Sequence, residues 1–171
     1  MDKPLGLERL WAGWRSEYVT NQTDSKKNNC VMCYLYNSDD FKRDFVIYRN
    51  DFGAISLNLY PYGSGHLLIF GKSHVGSLES VPEQESIEIW ELIKKALILL
   101  KHIYKPDGMN LGANIEKAGG AGIPEHIHFH ALPRWVGDTN FMTTVAETRV
   151  LPESISESWA KLTQGWQELF S

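Results

Sequence analysis

A chain of 171 residues with 43% apolar and 22% charged side chains suits one globular domain with a full hydrophobic core, and its composition fits neither a disordered chain nor a membrane protein. The formal net charge of −4 argues against extended nonspecific contact with a nucleic-acid polymer, while a local cluster of His and Arg is still enough to bind a small phosphorylated ligand. The longest apolar stretch, Ala96 to Leu100, is too short to span a bilayer, and charge or Gly interrupts Leu5 to Trp14 before a signal-peptide core can form, so no membrane partner and a cytoplasmic location are expected.

Residues 1–29 open with Leu10, Trp11, Trp14 and Arg15 and continue into a polar stretch, 21–29, expected as a loop. Cys30 and Cys33, the only cysteines, are two residues apart, which suits a metal half-site or a redox pair better than a structural disulfide; inert core thiols are the plain alternative. Phe45 to Tyr48 reads as a strand and Asp51 to Gly53 as the turn after it. Ala54 to Leu59 then alternates, with Ile55, Leu57 and Leu59 facing one way and Ser56 and Asn58 the other, the pattern of a half-buried strand. After a turn at Pro61 to Gly65, His66 to Phe70 forms a strand that pairs antiparallel with it.

Ser80 and Glu83 have capping-box spacing, and Ile87, Trp90, Ile93, Leu97, Leu100 and Tyr104 recur at helical intervals until Pro106-Asp107-Gly108, predicting one long amphipathic helix. His102, near its end, is assigned no function. A strand at Leu111 to Ile115, a Gly-rich loop at 119–122, a histidine-bearing strand, a polar segment at 137–140 and a final helix at 153–169 complete the chain. Short turns join most strands, so the expected fold is α+β: an antiparallel sheet of five strands with helices packed on one face.

The densest chemistry lies at His126-Ile127-His128-Phe129-His130, where half of the six histidines fall within five residues. Alternate side chains of a strand share a face, so the three imidazoles converge on one patch while Ile127, Phe129 and Ala131 point the other way. A neutral imidazole is a good nucleophile near neutral pH, and its ordinary pKa of about 6.5 can be moved either way by neighbours. One ring can attack while another donates a proton. A phosphorus centre suits that pair, because it accepts nitrogen attack and its oxyanions favour N–H donors. Backbone N–H groups of Gly119-Gly120-Ala121-Gly122 can serve those oxygens, although this loop lacks the Lys-Ser/Thr ending of a P-loop and leads into a strand. Histidines at alternate strand positions can also chelate one catalytic zinc, and spacing alone leaves both readings open.

The pattern His-φ-His-φ-His-φ-φ, with φ apolar, resembles the signature of the histidine triad (HIT) superfamily of nucleotide hydrolases and transferases. The block from Asn58 to Leu68, ending Gly65-His66-Leu67-Leu68, is similar to that family's strand, turn and Gly-His segment. The resemblance runs from Trp11 to Pro152. Trp11, Trp14, Arg15 and Tyr18, then Ala121 to His126, then Pro133-Arg134-Trp135 with Gly137 to Met142, resemble the branch of diadenosine polyphosphate hydrolases and phosphorylases.

The resemblance implies that His128 attacks the α-phosphorus to form a nucleotidyl-histidine, which water, or phosphate in a phosphorylase, then cleaves. His130 and His66 would contact phosphate and leaving group, the main chain at His126 would fix the tautomer of His128, Asn58 would bind the ribose, and Asn114 and Gly122 would stand at the phosphates. Cys30, Cys33, His74 and His126 would hold a structural zinc, a set shared with some members and with the related hexose-1-phosphate uridylyltransferases, and no catalytic metal would be required. The resemblance further implies a homodimer and a single domain over 1–171, with a 1–29 extension, a 30–152 core and a 153–171 helix. A nucleotide-binding regulatory protein with incidental turnover is the competing expectation. The loop departs from many relatives in one place: Ile123 stands where they carry Ser or Thr three places before the first histidine, which leaves the source of the leaving group's proton open.

Overall fold

The computed structural model describes residues 30–138 and 153–171. The expected loop at 21–29, the aromatic and Arg residues before it, and the stretch from Thr139 to Pro152 lie outside the described residues. Five strands form one antiparallel sheet in the order β1-β2-β3-β5-β4: β1 Val46–Arg49, β2 Gly53–Leu57, β3 Leu67–Gly71, β4 Gly108–Gly112 and β5 His128–Arg134. Helix α1 is Val31–Tyr36, α2 is Glu83–Tyr104 and α3 is Ile155–Phe170, which makes the fold the expected α+β class.

Helix α2 crosses one sheet face with Ile89, Leu92, Ile93, Ala96, Leu99 and Leu100, which pack against Ile55, Leu57, Leu67, Ile69, Phe129 and Ala131. Full burial of each Leu, Ile or Phe side chain among these contributes about 1.5–3 kcal/mol before ordering costs. Helix α3 lies beside α2, where Gly165 allows close approach: a Cβ there would stand 2.5 Å from Ile103 Cδ1. Trp166 stacks on Tyr48 at 4.3 Å between ring centroids, and Trp159 Nε1–H donates to the Val46 carbonyl at 2.9 Å, so α3 clamps the β1 edge. No helix among the described residues is long and apolar enough to cross a membrane.

Several expectations are corrected. The helices do not all lie on one face, because α1 covers the other: Cys30, Met32 and Leu35 pack with Ile123 against Val46, Ala54, Leu68 and Phe70. That cover is also why β2 is buried on both faces, with Ser56 at 0% exposure, rather than half-buried. The strand ends at Leu57, so Leu59 is 47% exposed instead of facing the core. The Ser80–Glu83 capping box does not form. Ser80 meets the Ser77 hydroxyl at 2.8 Å within a short 3-10 turn, and the helix starts after Pro82, whose fixed φ of −54° suits a helix entry.

Of the expected helical face, Ile93 and Leu100 are buried and Leu97 and Tyr104 pack against the core, whereas Ile87 and Trp90 are half-exposed and Ile89 and Leu92 enter the core instead. Strand β4 begins three residues before its expected start, directly after Asp107, and pairs from Gly108↔Arg134 to Gly112↔His130. Its mostly exposed residues hide the strand from a burial pattern, and Asn114 consequently falls in the loop beyond it. Strand β5 begins at His128. His126 sits in the preceding turn, its N–H donating to the Ile123 carbonyl at 3.3 Å, so it does not share the face of the other two histidines.

Candidate active site and metal-binding cluster

Register between β3 and β5 sets Leu68 opposite His130 and Phe70 opposite His128, which directs both imidazoles to the face that α1 covers. His66, one residue ahead of β3, is fully buried on that face, with Nε2 2.9 Å from His130 Nδ1. The backbone N–H of Tyr62 donates to His66 Nδ1 at 3.1 Å. Since Nδ1 is thereby an acceptor, neutral His66 carries its proton on Nε2 and donates it to His130 Nδ1, so the proton of neutral His130 sits on Nε2. The Tyr62 ring lies 4.7 Å from the His66 ring and 6.0 Å from that of His130.

His128 has the opposite arrangement with respect to its task. Its Nδ1–H donates to the His126 carbonyl at 2.9 Å, which leaves the lone pair on Nε2. Burial lowers its pKa below the usual histidine value, and the hydrogen bond to His126 opposes that shift only in part. At neutral pH the ring is therefore an uncharged base and nucleophile. Two histidines two residues apart thus present different atoms: a lone pair from His128 and an N–H from neutral His130.

A cavity beside them is lined by His128, His130, Asn58, Asn114 and Gly122, with Met32, Leu68 and Ile123 as apolar wall and Tyr60 and Tyr62 as aromatic wall. The expected residues Asn58, Asn114, Gly122, His128 and His130 do meet here, and His66 stands behind His130. Asn58 is held by accepting the Tyr60 N–H at 2.9 Å, and its amide lies 3.4 Å from His66 Nδ1. Asn114 donates to the Gly120 carbonyl at 3.3 Å, tying the end of β4 to the Gly-rich loop, where Gly120 has a φ of +86° open to few other residues. Met32, Tyr60 and Tyr62 were not anticipated as lining residues. Their only sequence signals are Met32's place between the two cysteines and the tyrosines' place just ahead of His66.

His126 turns away to a second cluster. Its Nδ1 lies 3.5 Å from both Cys30 Sγ and Cys33 Sγ, and His74 Nδ1 lies 3.3 Å from Cys33 Sγ; all four ligand atoms fall within 4.8 Å of one another. Donors at ordinary zinc–sulfur and zinc–nitrogen lengths around one tetrahedral ion are about 3.3–3.8 Å apart, so these residues fit a shared zinc. The His126 tautomer fits too. Its Nε2–H donates to the Gly71 carbonyl at 2.9 Å, leaving Nδ1 as the ligand atom, and burial pushes its pKa down to about 4, against the pull of the Gly71 bond, so the ring is neutral and able to coordinate. The three-histidine metal site allowed by spacing alone is not assembled, because His126 faces the cysteines while His128 and His130 face the cavity. His102 lies on the surface, 3.2 Å from Glu168, away from both sites.

Comparison with known proteins identifies the family and the fold. The HIT domain family matches residues 41–136. The AP-4-A phosphorylase of Mycobacterium tuberculosis (strain H37Rv) is 30% identical over 165 residues, covering 94% of this chain and 85% of its own. A zinc-bound histidine triad family protein from Mycobacterium smegmatis superposes with a TM-score of 0.68 at 25% identity, over 84% of this chain and 97% of that one. The diadenosine triphosphate hydrolase of Plasmodium falciparum shares the fold, with a TM-score of 0.60 at 15% identity over 82% and 95% of the two chains. With its family match, its 30% identity to a curated relative over nearly the whole chain and its five-stranded α+β fold, the chain belongs to the histidine triad family of nucleotide-processing proteins.

Proposed function

We propose that the protein transfers a nucleotidyl group from a dinucleoside polyphosphate or related nucleoside phosphate through a covalent intermediate on His128. One observation carries this reading: the Nδ1–H of His128 is committed to the His126 carbonyl, which reserves the Nε2 lone pair for attack. Nε2 bonds to the α-phosphorus as the bond from phosphorus to the bridging oxygen breaks, and the electron pair leaves with the departing nucleotide. That group departs as a phosphate anion stabilised by the Nε2–H of His130, whose tautomer His66 sets. Reliance on His130 and His66 answers the departure at Ile123, a side chain with no proton to give. An acceptor oxygen then attacks phosphorus, the P–N bond breaks, and its electron pair returns to Nε2. With water as acceptor the surplus proton passes to solvent.

Asn58 binds the ribose, Asn114 and the Gly122 main chain meet the phosphates, and Met32, Leu68 and Ile123 flank the base. Cys30, Cys33, His74 and His126 would hold zinc, which when bound supplies a structural cross-link between the α1 segment and the turn before β5. The chemistry needs no catalytic metal, because a neutral imidazole supplies the nucleophile. The whole chain acts as one domain. The exposed β4 edge with Leu111, and the exposed Ile87, Trp90 and Ile98 of α2, support a homodimer. Cys30 and Cys33 are not joined in a disulfide, which supports the cytoplasm as its location, and the net charge of −4 supports a small nucleotide rather than a nucleic-acid polymer as its partner.

The similarity to a mycobacterial AP-4-A phosphorylase favours a second reading in which inorganic phosphate is the acceptor. Incubation with diadenosine polyphosphate, with and without phosphate, separates the two: ADP formed only when phosphate is present means phosphorolysis, and AMP formed in its absence means hydrolysis. Tight binding of nucleotide without turnover under either condition would instead favour a regulatory nucleotide-binding protein.

A further inference from the structure

Glu85 is the one carboxylate buried among the described residues, 6% exposed, and the chemistry above does not use it. A carboxylate leaves water at high cost unless hydrogen bonds replace its hydration. Glu85 stands in the first turn of α2, and two hydrogen bonds reach it from a single residue. Oε1 accepts the Ser73 backbone N–H at 3.0 Å, and Oε2 accepts the Ser73 hydroxyl at 2.7 Å. It also lies tight over Gly71, where a Cβ would stand 2.1 Å from Oε1. A side chain at position 71 would therefore displace the carboxylate from its present place.

What Glu85 grips is the segment that builds the metal cluster. The Gly71 carbonyl accepts the Nε2–H of His126 at 2.9 Å and so aims its Nδ1 at the cysteines. Ser73 precedes His74, whose Nδ1 is 3.3 Å from Cys33 Sγ. The Val75 N–H donates to the Ser73 carbonyl at 3.0 Å, and the Val75 carbonyl accepts the N–H of Ile127 at 2.7 Å, between His126 and His128. Residues 72–75 belong to neither strand nor helix, so two of the four ligands depend on an irregular connector. Glu85 fastens its centre to α2, which Ile89, Leu92 and Ile93 root in the core.

We infer that Glu85 is a positioning residue for the metal cluster: through Ser73 and Gly71 it holds His74 and His126 aimed at Cys30 and Cys33. The inference rests on the reading of that cluster as a metal site. Ligands held in place before the ion arrives need no ordering when it binds, and outer groups of this kind change metal affinity about 10–100-fold.

The test titrates metal-stripped full-length protein with zinc against a chromophoric chelator, and with cobalt(II) to read the ligand-field bands of a tetrahedral two-sulfur, two-nitrogen site. Glu85→Ala is expected to weaken zinc about 10–100-fold and to alter the cobalt bands. Glu85→Gln, which keeps an acceptor oxygen for the Ser73 N–H, is expected to recover most of that affinity, and Ser73→Ala to lose only several-fold. Glu85→Ala that binds zinc as tightly as wild type with an unchanged cobalt spectrum overturns the inference. Should that variant fail to fold, an unchanged affinity in Ser73→Ala overturns it instead. A wild-type protein that takes up neither metal overturns the metal reading itself, a result distinct from either.

Discussion

Gly65→Ala probes the turn that delivers His66. Gly65 has a φ of +72°, a region that costs an L-residue roughly 1–2 kcal/mol. The added Cβ would also stand 2.5 Å from Tyr104 Cε2 and 3.0 Å from its Cδ2 and Cζ. The ring has little room to yield, because the Tyr104 hydroxyl donates to Glu153 and the ring packs edge-on against Trp135 at 6.2 Å. Overpacking of this kind costs about 1–3 kcal/mol. The two effects together predict a loss of about 2–5 kcal/mol, a large share of a domain's total stability and about 5–15 °C in melting temperature for a chain of this length. Urea unfolding should show a lower midpoint at unchanged slope. Because His66 is the next residue, turnover should fall as well, on the order of 10²-fold for a displacement near 1 Å. A smaller ring-free side chain in Gly65→Ala/Tyr104→Leu should relieve the steric part and give a coupling energy of at least about 1 kcal/mol in a double-mutant cycle. A Gly65→Ala loss below about 0.5 kcal/mol, or a cycle with no coupling, would refute the reasoning.

Three further outcomes follow from the same geometry. Burial lowers the His128 pKa, so the ring stays unprotonated to lower pH than a free histidine; the acid limb of the single-turnover rate of nucleotidyl transfer should lie below pH 6.5, and a limb above that value would contradict the burial. Ser154→Ala removes the α3 capping box, in which the Ser154 hydroxyl accepts the Glu157 N–H and the Glu157 side chain accepts the Ser154 N–H; about 1 kcal/mol of stability should be lost in a urea melt, with turnover unchanged. Zinc added to metal-free protein should raise its melting temperature, by the equivalent of about 2.7 kcal/mol when free zinc is 100 times Kd, and a melting curve indifferent to zinc would contradict the cluster's assignment.

The legible parts of the chain were those with strong local periodicity or steric demand. The long α2 helix, the apolar cores of β2 and β3 and the turn between them stand within two residues of where their patterns put them, although Ile87, Trp90 and Leu59 are exposed. Alternation also put His128 and His130 on one face, and within the triad it misled only at His126, because pairing with β3 begins at His128 and His126 lies in the turn ahead of the strand. Other features were hidden for physical reasons. Six residues of α1 are fewer than two full turns, too few to display a helical period, so its cover of the sheet and the burial of Ser56 could not be anticipated. Strand β4 is an exposed edge whose Gly, Met and Asn residues carry no inward-facing pattern. The Ser80 hydroxyl had two partners at turn spacing, Ser77 and the helix entry, and only the packed structure selects Ser77. Family resemblance supplied the division of labour among the histidines that spacing left open. The hydrogen bonds from Tyr62 to His66 and from His128 to His126 fix tautomers compatible with the proposed division.

Covalent attachment at His128 is the step on which the proposed function depends most directly. Protein mixed with radiolabelled diadenosine polyphosphate and quenched rapidly should yield an acid-labile nucleotidyl-protein adduct, stable to base as a phosphoramidate is. His128→Asn, which removes the attacking Nε2, should form none while still folding to the same far-ultraviolet spectrum. An adduct of undiminished yield in His128→Asn would contradict the assignment of His128 as nucleophile.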